Sequence, residues 1–534
     1  MHAASRTAAP PPGQARYGLP RPSSALVRAV LALTAGAALA AAFAPLNLWP
    51  LAVLCPAVLM WLWQDAAPRE AARLGFCFNA ATFAAGTYWL YISIHGFGEA
   101  PIWLAFVLML GLVAIMGLYH AALGYAAARW LPRTGLARWL VALPASWLLI
   151  EWWRGWFLSG FSWLSLGYSQ TDTWLAGFAP LVGVYGLSAI LLVSAGALAT
   201  FALGTRRARL IAAFVLVVPW LAGAGLRHVS WTHVSGAPVS VAVIQGAIPQ
   251  DQKWLDTNKD TTLKLYQALT EKALGVGLIV WPESATAEVA NDIVPYLNHL
   301  NTEARTHHSA LVMGVLRAES VPAGKGGEGS EDKTRYFNSV LAFDDTLNWY
   351  DKHHLVPFAE FFPVPHWVRS WLRLMSLPYS DFTPGAAEQP PLPAAHLQLG
   401  ATICYEDAYG SSMLAVLRHA DALVNVTNDA WFGHSTARHQ HFQIARMRAL
   451  EAGRYLVRAA NDGISAVVGP HGEVIARARE FEPVVLISQI VPLMGLTPYA
   501  VVGNWLIVSL AAMALAYGLW LRNDRDRHGV EPSP

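Results

Sequence analysis

Residues 277–285 read GLIVWPESA, and residues 397–407 read LQLGATICYED. Each stretch starts as a short apolar run and stops at a reactive side chain. Short apolar runs bounded by turn signals point to strands buried on both faces. Pro282 fixes φ and ends the first strand, so the carboxylate of Glu283 is presented at its C-terminal end. Cys404 ends the second strand and opens the turn Tyr405-Glu406-Asp407. A third residue, Lys352, follows a hairpin strand in Tyr350-Asp351-Lys352-His353-His354. A thiol at a strand-to-helix turn lies near backbone N–H groups that stabilise a thiolate and an oxyanion. A carboxylate can take the thiol proton, and an ammonium can stabilise developing negative charge. Spacing alone leaves the ordinary readings open: a packed cysteine, a helix-capping glutamate, a solvated lysine.

Working outward, segment 227–499 alternates β-branched runs with helical patterns. Strands are expected at 238–245, 277–281, 310–316, 338–343, 348–351, 397–404 and 422–427, with a last hairpin at 464–468 and 474–478. Helices are expected at 257–274, 288–306, 408–419 and 436–453. This is an α/β domain, read as two packed sheets with helices outside; periodicity alone also allows one doubly wound sheet.

The rest of the chain is of another kind. Of the 534 residues 54% are hydrophobic and 13% charged, against a usual charged share of about 25%. About two thirds of the charged residues fall within 227–499. Apolar runs occur at 26–44, 49–64, 75–94, 101–128, 139–157, 174–203, 209–226 and 500–521. Most approach the roughly 20 residues that a spanning helix needs. Arginines cluster in alternate connections: Arg6, Arg16 and Arg21, then Arg69 and Arg73, then Arg129, Arg133 and Arg138, then Arg206, Arg207 and Arg209, and finally Arg522, Arg525 and Arg527. That bias marks the cytoplasmic side. An eight-span count puts both termini there and 227–499 on the opposite face, which in a bacterial inner membrane is the periplasm.

The expected division is a disordered tail at 1–24, a seven-span bundle at 25–226, the soluble domain at 227–499, a last span at 500–521 and a cytoplasmic tail at 522–534. His95, His120, Glu151 and Arg154 lie at membrane depth or its edge, where ionisable groups are functional candidates. Glu151 and Arg154, at i and i+3, are expected to pair near the outer interface. Residues 152–163 hold four Trp and two Phe, an interfacial belt or a re-entrant element. The net charge of +2 does not point to nucleic acid, and three cysteines make no disulfide framework. Cys55 and Cys77, inside apolar runs, are expected to be inert. His434, His439 and His441 lack the partner spacing of a metal site, so neither metal nor cofactor is expected.

The local sequences carry a resemblance. VIQGAIPQDQKW at 243–254, WPESA at 281–285, YDKHHLVPFAEFFP at 350–363, ICYEDAYG at 403–410, VNVTNDAWFG at 424–433 and RMRALEAGRYLVRAANDGISAVVGPHG at 446–472 resemble the nitrilase (carbon–nitrogen hydrolase) superfamily. With the N-terminal bundle, one C-terminal span and WWRGWFLSGFSWLSLGYSQ at 152–170, the chain is most similar to its apolipoprotein N-acyltransferase family, from about residue 26 to 521. Small departures are His354 after Lys352-His353, Ala359 where Gly is common, and an inserted-looking loop at 319–335.

The resemblance implies a four-layer α-β-β-α sandwich, with Glu283 as general base, Lys352 as oxyanion-stabilising lysine and Cys404 as nucleophile. Glu360, Tyr405 and Glu406 match positions that support the site, and Trp254 and Trp431 match loop positions near the substrate entrance. It further implies that an acyl chain passes from a phospholipid, typically the sn-1 chain of phosphatidylethanolamine, to Cys404 as a thioester. The amino group of a diacylglyceryl-cysteine on an apolipoprotein then takes it. A monomer in contact with the bilayer meets these demands. Two rivals remain at this point: a membrane-anchored amidase or nitrilase, and a transporter or lipid-binding scaffold with an inactive domain.

The arginine pattern makes a topology prediction. A cysteine introduced within 319–335 is expected to be labelled by an impermeant thiol reagent from outside the membrane, and one beside Arg207 is not. Labelling beside Arg207 alone reverses the orientation.

Overall fold

The computed structural model describes residues 21–321, 333–343, 346–357, 359–361 and 382–528. Most of the expected N-terminal tail, the 322–332 part of the 319–335 loop and the last six residues of the C-terminal tail lie outside the described residues.

Among the described residues five helices are long and apolar enough to cross a membrane: Ala25–Ala42 with its 3-10 end, Ile102–Trp130, Trp174–Leu203, Arg206–Leu226 and Trp505–Asp524. The other three expected runs form helices at Leu51–Leu62, Pro68–Gly86 and Leu143–Arg154. The first and third have 12 residues each, and the second carries Arg69, Glu70, Arg73 and Asn79. Helices pack closely where glycine removes the side chain: a Cβ on Gly36 would sit 1.9 Å from Phe78 O, and one on Gly75 2.2 Å from His120 O. Buried polar groups find carbonyls, as in Thr82 Oγ1 to Gly36 O at 3.0 Å and Asn79 Nδ2 to Met116 O at 2.6 Å.

The expected Glu151–Arg154 pair is corrected. Glu151 instead accepts from Ser188 Oγ at 2.5 Å and Leu166 N at 3.3 Å. Arg154 donates to Phe161 O at 2.6 Å, Trp163 O at 2.7 Å and Ser165 Oγ at 3.2 Å. The reason is local. After Arg154 the chain leaves the helix and folds back, so bare carbonyls surround the guanidinium. The 152–163 stretch is thus a helix end and an ordered loop rather than part of a span.

The soluble segment contains strands β1 (Val239–Gln245), β2 (Leu278–Val280), β3 (Ala310–Val321), β4 (Lys333–Phe343), β5 (Leu347–Asp351), β6 (Leu392–Ala394), β7 (Leu397–Ile403), β8 (Ala422–Thr427), β9 (Leu456–Ala460), β10 (Ala466–Val468), β11 (Val474–Arg477) and β12 (Val484–Ile490). They make two six-stranded sheets, ordered β12-β1-β2-β3-β4-β5 and β11-β10-β9-β8-β7-β6. In each, parallel pairing is confined to the central strands, β1-β2-β3 in one and β7-β8-β9 in the other. Side chains alternate across a strand. Val241 and Val243 accordingly join Val280, Val312, Leu399, Val424 and Val457 in one apolar cluster drawn from both sheets. Ala242 and Ile244 face the other way, in a cluster with Tyr266 and Leu297 of helices Lys259–Glu271 and Val294–Thr306.

Helix Ala437–Ala452 is buried on two sides. Phe442, Ala445 and Ala449 pack with Leu423 and Leu456 of the second sheet, while Ile444, Met447 and Leu450 join the core of the bundle. Two expectations change. The helix at 408–419 is three short 3-10 turns, at Cys404–Ala408, Gly410–Met413 and Val416–Arg418. The strand expected to include Cys404 stops at Ile403. Strands β6, β9 and β12 were not foreseen. β12 lies at a sheet edge and is half-buried or exposed along its length, with only Ile490 buried, a weaker pattern than a buried run.

Close packing at Gly36 makes a stability prediction. Gly36→Val is expected to destabilise the protein in detergent by about 1–3 kcal/mol, the usual cost of overpacking. Gly111→Val, where a Cβ meets nothing within 4 Å, is expected to stay within about 0.5 kcal/mol. Thermal unfolding of the two variants checks this, and equal losses contradict it.

Candidate active site

Glu283 sits just past β2, in a segment pinned to β3 on both sides: Trp281 N donates to Val312 O at 2.8 Å and Ala285 N to Gly314 O at 2.9 Å. Gly314 is needed there, since a Cβ would lie 2.4 Å from Pro282 O and 2.6 Å from Glu283 Cα. The buried carboxylate accepts from Asn338 Nδ2 at 2.7 Å and Lys352 Nζ at 3.3 Å on Oε1, and from Asn428 N at 2.9 Å on Oε2. Its orientation is therefore set by three donors from three elements.

Lys352 follows β5, and its N–H continues the ladder to Asn338 O at 2.8 Å. Its ammonium is 1% exposed, too buried to stay charged without partners. Glu360 supplies one at 2.8 Å and Glu283 the other at 3.3 Å. Burial opposes the charge, but the two carboxylates outweigh it and hold the amine above the usual lysine range. Glu360 is itself anchored by Val356 N at 2.8 Å and Asn338 Nδ2 at 3.0 Å.

Cys404 lies where β7 ends. Parallel pairing with β8 runs to Ile403 opposite Val426, and Cys404 then takes φ +50°, a left-handed conformation uncommon for a side chain that is not glycine. The turn is secured by Glu406, which accepts from Ile403 N at 2.8 Å and Tyr350 hydroxyl at 2.9 Å on one oxygen. Its other oxygen accepts from His353 N at 2.7 Å and His354 N at 3.1 Å. Glu406 thus ties the cysteine turn to the lysine loop. Burial pushes the Cys404 thiol up, the Glu283 charge adds to that, and Lys352 pulls it back in part.

The structure brings Glu283, Lys352, Cys404, Glu360 and Glu406 into one connected cluster. Tyr405 faces away from it: its hydroxyl donates to Gly160 O at 3.1 Å, and its ring stacks on Trp163 at 6.4 Å between centroids. Trp254 and Trp431 stay partly exposed, at 47% and 37%. Trp431 O accepts from Ser93 Oγ of the bundle at 2.8 Å.

Sequence reading passed over several members. Asn338 and Asn428 hold Glu283. Lys253, 1% exposed, reaches Glu283 O at 3.3 Å. Burial draws its amine down to about 8 against the pull of Glu283 and Asp462. Arg458 bridges Asp407 and Asp429, both at 3.1 Å, and His441 lies between Asp429 Oδ1 at 2.7 Å and Cys404 O at 3.1 Å. One signal was legible: Arg458 is a charge inside the apolar strand LVRAA, which requires buried partners. Among the described residues no group of three or more His, Cys, Asp or Glu is placed to hold a metal ion.

Two family models match the chain, the apolipoprotein N-acyltransferase N-terminal domain over 35–197 and carbon-nitrogen hydrolase over 240–499. A curated apolipoprotein N-acyltransferase from Methylococcus capsulatus is 38% identical over 508 residues, covering 95% of this chain and 99% of that one. One from Azotobacter vinelandii is 39% identical over 510 residues, covering 94% and 97%. One from Pseudomonas putida is 38% identical over 494 residues, covering 92% and 96%.

The charges around the thiol make a pH prediction. Iodoacetamide consumes thiolate, so its rate on Cys404 rises as the thiol ionises. Glu283→Gln removes a charge that raises the thiol, so its alkylation profile is expected to move to lower pH. Lys352→Met removes one that lowers it, so its profile moves to higher pH. Each shift is expected to be roughly one pH unit or more. Peptide-resolved mass spectrometry at Cys404 reads both, and shifts of the same sign contradict the arrangement.

Proposed function

The chain belongs to the apolipoprotein N-acyltransferase family, and on that premise we propose that it moves an acyl chain from a phospholipid, through a thioester on Cys404, to the N-terminal amine of a diacylglyceryl-cysteine on an apolipoprotein. The observation that carries this is the docking of the nucleophile turn on the bundle. Ser162 Oγ donates to Ala408 O at 2.8 Å, and the hydroxyls of Tyr405 and Tyr409 donate to Gly160 O at 3.1 Å and Ser159 O at 2.6 Å. A thiol held against the membrane part is suited to a lipid ester.

In this reading Glu283 takes the Sγ proton as sulfur attacks the ester carbonyl. The carbonyl oxygen becomes an oxyanion facing Lys352 and the N–H of Tyr405. Collapse breaks the C–O bond, and Glu283 returns the proton to the departing lysophospholipid. In the second half the substrate amine attacks the thioester, Glu283 takes its proton, and the C–S bond breaks to regenerate the thiol. One carboxylate serves both halves by giving and taking one proton. Glu360 and Glu406 hold Lys352 and the turn. Trp254 and Trp431, partly exposed, serve the substrate entrance.

The arginine pattern and the five long apolar helices support a multi-pass enzyme. We read the architecture in full as eight spans and an α-β-β-α sandwich, with a bundle at 25–226, a catalytic domain at 227–499 and a last span at 500–521. The catalytic domain faces the periplasm of the inner membrane, and the protein acts as a monomer. The amidase alternative is not favoured, because the resemblance to acyltransferases runs through the bundle as well as the hydrolase-like domain.

Incubation with phosphatidylethanolamine vesicles alone is expected to add one acyl chain to Cys404, removable by hydroxylamine and visible in the intact mass. Cys404→Ala is expected to gain none, while Cys55→Ser and Cys77→Ser behave as the parent. Transfer to a lipopeptide by the Cys404→Ala variant contradicts the thioester route.

A further inference from the structure

His441 is the one histidine of the 434–441 group that reaches the nucleophile. It is 1% exposed and stands on helix Ala437–Ala452, which packs between the second sheet and the bundle. Its Nε2 is 3.1 Å from the carbonyl oxygen of Cys404, and a carbonyl only accepts, so Nε2–H donates. Its Nδ1 is 2.7 Å from Asp429 Oδ1, which only accepts, and 3.0 Å from Arg458 Nη2, which only donates, so one of the two hydrogen-bonds it and both lie against it. Asp429 is held in place by Arg458 Nη2 at 3.1 Å and by the Thr427 hydroxyl at 3.2 Å. Arg458 in turn contacts Asn425 Oδ1 at 2.5 Å and Asp407 Oδ2 at 3.1 Å. The ring is therefore clamped by a fully buried network, with Trp163 of the bundle 5.6 Å away, centroid to centroid.

Peptide geometry gives this contact its consequence. In a planar trans peptide the C=O of one residue and the N–H of the next point in opposite directions. The Cys404 carbonyl belongs to the same plane as the Tyr405 N–H. Holding one end aims the other. Tyr405 is the second residue of a 3-10 turn, so its N–H has no partner within the turn. None outside the turn is present among the described residues. The positive φ of Cys404 makes the need for an anchor concrete, because that conformation is held only when its surroundings enforce it.

We propose that His441, clamped by Asp429, is a positioning residue that fixes the Cys404–Tyr405 peptide plane, so that the Tyr405 N–H and Lys352 together receive the oxyanion. It touches neither the reacting carbon nor the sulfur. This rests on the acyl-transfer reading above and extends it to a residue outside the three reacting groups. The role predicts a split between two reactions of the same thiol. Acylation passes through an oxyanion, whereas alkylation by iodoacetamide is a direct displacement at carbon that forms none.

The test measures both rates at Cys404 in the full chain, in detergent. Acyl donors are phosphatidylethanolamine vesicles and, separately, a nitrophenyl fatty-acid ester. For His441→Leu, alkylation is expected to stay within about twofold of the parent. Acylation is expected to fall about 100-fold or more, the usual loss of one oxyanion donor. His441→Gln, which keeps a donor, is expected to recover at least about tenfold of that loss. Should the leucine variant not fold, Asp429→Asn keeps the shape, loosens the clamp and is expected to show the same split at about tenfold. Undiminished acylation in His441→Leu, or equal loss of alkylation and acylation, overturns the proposal. A parent protein acylated by the nitrophenyl ester but not by phospholipid overturns the donor assignment instead, and the split in the ester reaction still decides the role of His441.

Discussion

The hydrogen bonds between the loop after Arg154 and the turn after Cys404 are the constraint on which the rest depends. Arg154 is buried and draws the carbonyls of Phe161 and Trp163 onto itself. That shapes the loop so that Ser159, Gly160 and Ser162 meet Tyr409, Tyr405 and Ala408. Each neutral bond is worth about 0.5–1.5 kcal/mol. Removing the guanidinium's partners costs more, because a buried charge is then left unpaired. The same face is closed by Gln440, which accepts from Trp163 Nε1 at 2.7 Å and Trp89 Nε1 at 3.2 Å. It is closed further by Glu451, which accepts from Val184 N at 2.8 Å. The Cys404 turn is thus held partly by membrane-bundle residues, and its register against the bundle is fixed by directional bonds rather than by a tether alone.

Within the domain, burial and charge act together on the Cys404 thiol. Lys352 is shared by Glu283 and Glu360, so its one ammonium faces two carboxylates. Burial and the Glu283 charge push the thiol up. In the proposed reaction the thiol proton moves to Glu283 as sulfur attacks. A second set of buried charges, Asp407, Arg458 and Asp429, lies behind the turn. Burial opposes charge on Asp429, but His441 and Arg458 hold it down to about 2. Asp462 is pushed up to about 7 by burial and by Asp429. One set of charges surrounds the thiol, and the other lies behind its turn.

Much of this was legible in the sequence, for stated reasons. Apolar runs ending in Glu283 and Cys404 marked buried strands, because only strands covered on both faces lack alternation. Charge depletion outside 227–499 marked the membrane part. The local motifs pointed to Glu283, Lys352, Cys404, Glu360 and Glu406, all of which the fold brings together. The misses also have physical causes. Glu151 and Arg154 sit at helical spacing, but the chain folds back after Arg154 and offers carbonyls that outcompete the carboxylate. The 408–419 stretch has helical composition, yet Glu406 and the bundle contacts break it into 3-10 turns. The contacts of His441 were missed because its partners, Asp429 and a backbone carbonyl, are brought to it by the fold and not by sequence spacing.

The central claim is that a hydrolase-like site docked on a membrane bundle passes its acyl group to an amine rather than to water. The direct measurement isolates the protein acylated on Cys404, frees it of donor lipid and follows the adduct by intact mass in a single turnover. The account predicts an adduct that persists in buffer and discharges on adding a diacylglyceryl lipopeptide, with the acyl chain recovered on the peptide's N-terminal nitrogen. Loss of the adduct to water at the same rate with and without the lipopeptide, yielding free fatty acid, would contradict it.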